Sequence, residues 1–190
     1  MRFDRKSIVA FAALCCLVAG CSTAPKTAEK RDKLRSNASS TLDSMAATDP
    51  TLRDFLGRAY GYAVYPSVGK GGAVAGGAYG QGVVYEQGQP VGYSDLTQAS
   101  VGAQLGGQTY KEVIVFENAA ALDRLKGGTY SLGAGVSAVL VKSGAAREAR
   151  FKDGVAVFIH PKAGAMAEAS VSGQKLSYQR MSNAEASNSR

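Results

Sequence analysis

The chain has 190 residues, 45% of them apolar and 19% charged, with a formal charge of +7 at pH 7; this describes one globular domain with appendages and excludes a generally disordered chain. All three cysteines, Cys15, Cys16 and Cys21, fall at the N-terminus, so the body has neither a disulfide framework nor a cysteine metal site. His160 is the one histidine, the carboxylates are scattered, and neither a metal nor any other cofactor is expected.

Arg2, Arg5 and Lys6 precede an uncharged apolar run from Ile8 to Ala19, then Gly20 and Cys21, the layout of a secretory signal. The run of about 12 residues is well short of the roughly 20 that a membrane-spanning helix needs. Val18-Ala19-Gly20-Cys21 resembles the lipobox of bacterial lipoproteins. That likeness implies a signal peptide over 1–20, removed before Cys21, and acylation of Cys21 as the new N-terminus, with palmitate among the expected acyl groups. Ser22 stands where an aspartate marks inner-membrane retention in Gram-negative lipoproteins, which implies the outer membrane, periplasmic face. Cleavage by ordinary signal peptidase, leaving Cys21 a thiol, is the alternative. Loss of residues 1–20 removes Arg2, Asp4, Arg5 and Lys6 and leaves 19 basic and 14 acidic residues, a charge of +5. For an exported protein this favours an anionic membrane surface as partner and not nucleic acid.

Residues 21–33 are Ser/Thr/Ala/Lys-rich without apolar period and read as a flexible tether. The domain is expected over 34–180. Leu34, Ala38, Leu42 and Met45 fall at helical spacing; Asp49-Pro50 then reads as an N-cap with proline in the first turn, and Leu52, Phe55, Leu56 and Ala59 mark a second helix. Lys30, Arg31, Lys33 and Arg35 crowd the start of the first helix. They are either a solvated cluster or contacts to lipid head groups, each worth roughly 1 kcal/mol at an anionic surface.

Beyond Gly61 the chain becomes short strand-like runs separated by glycine. The glycine-rich stretch from Val68 to Val84 lacks both the Walker spacing around Lys70 and the dinucleotide fingerprint, and is too short and glycine-rich to span a membrane. Curved strands with small faces are expected there. Val113 to Phe116 and Val155 to Ile159 read as strands buried on both sides, and Val136, Ala138 and Leu140 alternate less cleanly. Asn118 caps a helix through Leu122 and Leu125 that ends at Gly127. Lys152-Asp153-Gly154 turns a hairpin between Arg147–Phe151 and the Val155 run. Ala99–Leu105 and Ala169–Leu176 are weakly alike small-residue segments, both read as strands. Residues 181–190 are polar and read as a disordered tail. The fold class is α+β: an antiparallel, glycine-rich curved sheet, or a sandwich or barrel-like body, with two N-terminal helices and one short inserted helix.

Ala59–Gly72, then Ala99–Gln108 leading into Val113–Phe116, with Leu132–Ser137 and the segment from Gly154 to Leu176, together resemble the SYLF domain. The likeness covers nearly all of residues 50–178 as ordered blocks at family-like spacing. It implies phospholipid binding without catalysis. In eukaryotic members lipid contact is ascribed largely to a basic, amphipathic N-terminal segment, which matches the helix near Lys30. Actin, a partner of some eukaryotic members, is not carried over to a periplasmic protein.

Catalytic residues are not expected: His160-Pro161 ends an apolar strand and no Gly-x-Ser-x-Gly elbow accompanies it. Tyr60, Tyr62, Tyr65, Tyr79, Tyr85, Tyr93 and Tyr110 are either head-group anchors or half-buried strand positions. The leading expectation is a lipoprotein anchored through Cys21 whose domain binds anionic phospholipid, with Lys30, Arg31, Lys33, Arg35 and Lys70 as head-group contacts. An envelope scaffold that binds a protein partner or the cell wall, touching membrane through the acyl group alone, is the second. A hydrolase centred on His160 is the third.

Overall fold

In a computed structural model, residues 23–72, 75–101, 108–133, 135–163, 171, 173–182 and 184–185 are described. Cys21, the signal segment and residues 102–105, 169–170 and 172 of the two weakly alike segments lie outside them; of the rest, Ala99–Val101 and Lys175–Leu176 are in strands and Val171, Gly173 and Gln174 are not. The fold is α+β. Helices α1 (Ala28–Thr48) and α2 (Thr51–Gly57) precede strands β1 (Gly61–Gly72), β2 (Ala75–Glu86), β3 (Gln89–Val101) and β4 (Gln108–Phe116). Helix α3 (Ala119–Lys126), β5 (Thr129–Ser131), β6 (Ala138–Leu140), the short α4 (Ala145–Glu148), β7 (Val155–Ala163) and β8 (Lys175–Arg180) follow.

One sheet takes the strands in the order β5-β8-β3-β2-β1-β4-β7-β6. Its neighbours are antiparallel except β6, which lies parallel to β7. Both faces are covered. On one, Val64, Val83, Tyr93, Val113 and Phe158 pack beneath Met45 of α1, Leu52 and Phe55 of α2 and Ala146 of α4. The other packs Tyr65, Val84, Leu96, Ile114, Phe116 and Val157 against Leu122 and Leu125 of α3, with Leu132, Val136 and Val171. Burial on both faces is why β4 and β7 read as continuous apolar runs rather than alternating ones.

The glycine-rich stretch forms the β1–β2 pair, with a register shift between Val64 and Val68. A Cβ at Gly82 would lie 2.7 Å from both Val64 O and Tyr65 Cδ1, so glycine there lets two chains and a buried ring approach closely. Tyr65 uses that space to place its hydroxyl 2.7 Å from Ser94 Oγ in the interior. Tyr65, Tyr93 and Tyr110 are fully buried, whereas Tyr79 is the large exposed tyrosine. Tyr62 and Tyr85 stack with centroids 5.0 Å apart.

Several expected elements hold. Asn118 Oδ1 accepts the Ala121 N–H and α3 ends at Gly127. Asp153 and Gly154 both adopt positive φ, and Lys152 bridges Val155 across that turn. Others differ. The stretch preceding this turn is the helical turn α4, not a hairpin arm, because Asp49 caps it from a distance: Gly144 N and Ala146 N both donate to its carboxylate. The segment read as a tether is docked from Thr23 onward. Ala24 N donates to Gln179 Oε1, and Thr27 caps α1 through the Lys30 N–H, so the helix starts six residues before Leu34. The residues read as a loose tail begin pinned, with Met181 buried and its N–H on Val91 O. Among the described residues no helix is long and apolar enough to cross a membrane.

Candidate anion-binding site

The expected basic cluster sits on the first two turns of α1, and its members meet different fates. Arg31 Nε pairs with Glu185 Oε1 at 2.6 Å and its Nη1 donates to Pro25 O. Arg35 pairs with Asp32 and reaches Glu185 O. These guanidinium groups fasten the C-terminal turn to α1; the Glu185 carboxylate is held low first by Ser182, against burial, then by the Ser182 N–H, Arg31 and Tyr93. Lys30 and Lys33 are exposed and form no ion pair among the described residues. Lys70 is half-buried near the end of β1, opposite Ala78 and Gln108, and no described contact joins it to the α1 cluster.

A second concentration of cations, none of them ion-paired among the described residues, was not read from the sequence. Arg58 follows α2, while Arg147 and Arg150 belong to α4 and the residues after it, and the three line one cleft of about 710 Å³ with Phe55, Phe151, Ala149 and Glu117. The packing of α2 against α4 brings them together. The Phe55 ring lies 4.9 Å from Phe151, and these two rings give the cleft an aromatic floor; Phe158 packs 5.1 Å from Phe55 in the core behind it. Arg58 Cζ stands 5.6 Å over the Phe55 ring while its Nε donates to Asp54 O. Arg150 Nη1 is anchored on Ala149 O at 2.9 Å. None of the three guanidinium groups forms an ion pair among the described residues, and Glu117 is the one carboxylate in the lining. A cationic rim over an aromatic floor suits an amphiphilic anion, since guanidinium groups fork onto phosphate or carboxylate oxygens and the floor takes carbon.

His160, on β7, stands opposite Lys111 of β4. Burial first, and the Lys111 charge second, lower its pKa, and its buried Nδ1 has no partner. No nucleophile is hydrogen-bonded to it among the described residues. Glu112 is fully buried and accepts from Gln174 Nε2 at 3.1 Å. Burial, opposed by that bond, pushes its pKa up to about 8. Asp95 is raised by burial against hydrogen bonds from Gln81 and Tyr79. Among the described residues no group of three or more His, Cys, Asp or Glu could hold a metal ion.

Residues 97–189 match the Ysc84 family model, described as Las17-binding protein actin regulator. That model is of the same SYLF type that the sequence blocks resemble. The Ysc84 match runs from the middle of β3 through β8 and includes Arg147 and Arg150; Arg58, Lys70 and the α1 cluster precede it. A curated relative, beta cell expansion factor A of Aeromonas veronii, is 29% identical over 160 residues, 80% of this chain and 58% of that protein. The chain therefore spans little more than half the length of that relative.

Proposed function

We propose that this chain is a non-catalytic binding protein whose SYLF-type domain docks on anionic phospholipid, anchored by an acylated Cys21 at the periplasmic face of the outer membrane. The observation that carries the reading is the cleft of Arg58, Arg147 and Arg150 over Phe55 and Phe151. Its cations have no ion-pair partners among the described residues and its floor is apolar, the pairing that a phosphodiester with its glycerol carbons would fill. Lys30 and Lys33, on the part of the chain that leads back to Cys21, and Lys70 add positive charge for a head-group layer. The match to an actin-regulator family supports a binding role rather than a catalytic one.

The test is co-sedimentation of the Cys21→Ser chain with vesicles of phosphatidylglycerol in phosphatidylcholine. Charge reversal at Arg58, Arg147 and Arg150 is expected to abolish binding while leaving the unfolding midpoint within a few degrees. Unchanged binding would remove the cleft from the account. Absence of binding by the parent chain would instead favour a scaffold that meets a protein or the cell wall.

A further inference from the structure

A second cleft, of about 330 Å³, lies where α1 crosses the sheet; α1 supplies Asn37, Ser40 and Thr41, β1 supplies Ser67, and Lys111 and Lys162 complete the polar lining. Its construction is deliberate in backbone terms. On one side of β4, the β1 ladder skips from Tyr65–Glu112 to Val68–Tyr110, so Pro66 and Ser67 bulge beside Lys111. On the other side, the β7 ladder skips from Pro161–Tyr110 to Ala163–Thr109, which makes Lys162 the extra residue. Both bulges carry a proline, a residue that sheets accept at such places. Bulges re-aim side chains, and this pair brings Ser67 and Lys162 into the same cleft as Lys111.

The chemistry of the lining is one-sided. Lys111 Nζ lies 2.5 Å from Ser44 Oγ, and neither lysine is ion-paired among the described residues. No carboxylate lines the cleft, and Pro66 is the only apolar contributor among the described lining residues. Burial first, then the Lys162 charge, lower the Lys111 pKa, so the two ammonium groups repel each other without a counter-ion. An oxyanion would relieve that repulsion while accepting from ammonium, hydroxyl and amide donors together. The volume equals that of about ten water molecules at roughly 30 Å³ each, enough for a phosphate and a small polar substituent.

We propose that this cleft is a phosphate-binding site, with Lys111 and Lys162 as the charged ligands and the α1 and bulge hydroxyls as neutral donors. It is distinct from the arginine cleft and does not need the membrane reading to be right. The phosphate belongs either to a soluble phosphate compound or to a phospholipid head group, and the experiment separates the two.

The test is titration calorimetry of the full chain carrying Cys21→Ser with inorganic phosphate against chloride at constant ionic strength. Phosphate is expected to bind, and Lys162→Ala and Lys111→Gln are each expected to weaken it about tenfold, the size of one lost charge-assisted hydrogen bond. Lys162 is exposed, so its variant keeps the fold even where Lys111→Gln does not. Binding no stronger than chloride, or binding unchanged in Lys162→Ala, would overturn the proposal. The same variant is then tested on phosphatidylglycerol vesicles. Loss of both phosphate and vesicle binding supports the site with a head group as source; loss of phosphate binding alone supports it with a soluble source. A parent chain that binds phosphate but ignores vesicles would overturn the membrane reading and leave this site standing.

Discussion

The Asp49 carboxylate accepts the backbone N–H of Ala146, 97 residues further along the chain, at 2.7 Å. It also takes Gly144 N at 3.1 Å, Thr51 N at 3.1 Å and Thr51 Oγ1 at 2.7 Å, and it is almost wholly buried. Pro50, and not Asp49 as expected, is the N-cap residue of α2, but the Asp49 side chain accepts N–H groups at the starts of both α2 and α4 and ties the element that precedes Arg58 to the one that carries Arg147. Asp49→Ala leaves buried N–H groups without acceptors and removes a cap, which is expected to cost about 3 kcal/mol. The unfolding midpoint should fall by roughly 6 to 12 °C for a chain of this size. Burial alone would raise the Asp49 pKa, but its hydrogen bonds outweigh burial and hold it below the ordinary 3.8. Its stabilisation is therefore present above the unfolded value and lost as the pH falls through the folded one. Urea unfolding at pH 7 and in acid should show the gap between the parent chain and Asp49→Ala narrowing in acid.

Glu112 has the opposite sign. Its folded pKa is pushed from 4.5 up to about 8, so the native state keeps a proton that the unfolded chain releases. The contribution is complete below about 4.5 and is lost progressively as the pH rises to about 8, at up to about 1 kcal/mol per pH unit. Glu112→Gln, which keeps the contact to Gln174 and cannot ionise, should flatten the decline across that window in denaturant titrations. An equally steep decline in the variant would contradict a neutral Glu112.

Two glycines of the same hairpin should respond differently. At Gly82 a methyl group would meet Val64 O and Tyr65 Cδ1 at 2.7 Å, whereas at Gly69 nothing lies within 4 Å. Gly82→Ala is expected to lose about 1 to 3 kcal/mol by overpacking. Gly69→Ala should be neutral or gain up to about 1 kcal/mol through a less flexible unfolded chain. Paired urea curves measure both.

The proposed acylation of Cys21 predicts that Cys21→Ser moves the protein from the envelope membrane fraction to the soluble periplasmic fraction at low lipid content. Mass spectrometry of the mature N-terminal peptide should show the lipid mass in the parent. A free thiol on Cys21 of the processed protein would contradict the anchor.

What was legible in the sequence is what short-range rules specify. Asn118 caps α3 from a distance of three residues, Asp153-Gly154 turns the chain locally, and Val113–Phe116 and Val155–Ile159 announce double burial by composition. The misses share one cause, which is that the deciding partner is far away. The α1 start is held by Thr27 but also by Gln179 and Glu185 on the C-terminal side, so no apolar period marks it. The helical turn at Ala145–Glu148 depends on Asp49, and the parallel pairing of β6 depends on β7. The same applies to the sites. Charge clustering in sequence singled out Lys30 to Arg35, yet Arg31 and Arg35 are fastened to acids, while Arg58, Arg147 and Arg150 gather only when α2 meets α4. The lysine cleft was hidden for another reason: Lys162 reaches Lys111 through a bulge, and period-two counting along β7 does not register an extra residue.

The most direct measurement is co-sedimentation of the Cys21→Ser chain with phosphatidylglycerol-containing and purely phosphatidylcholine vesicles over a salt series. If the domain itself reads anionic head groups, it binds the first and not the second, and added salt weakens that binding because exposed charges are screened beyond about 10 Å at 0.1 M. Failure to bind either vesicle at any salt concentration, or binding to both that salt leaves unchanged, would contradict the central claim.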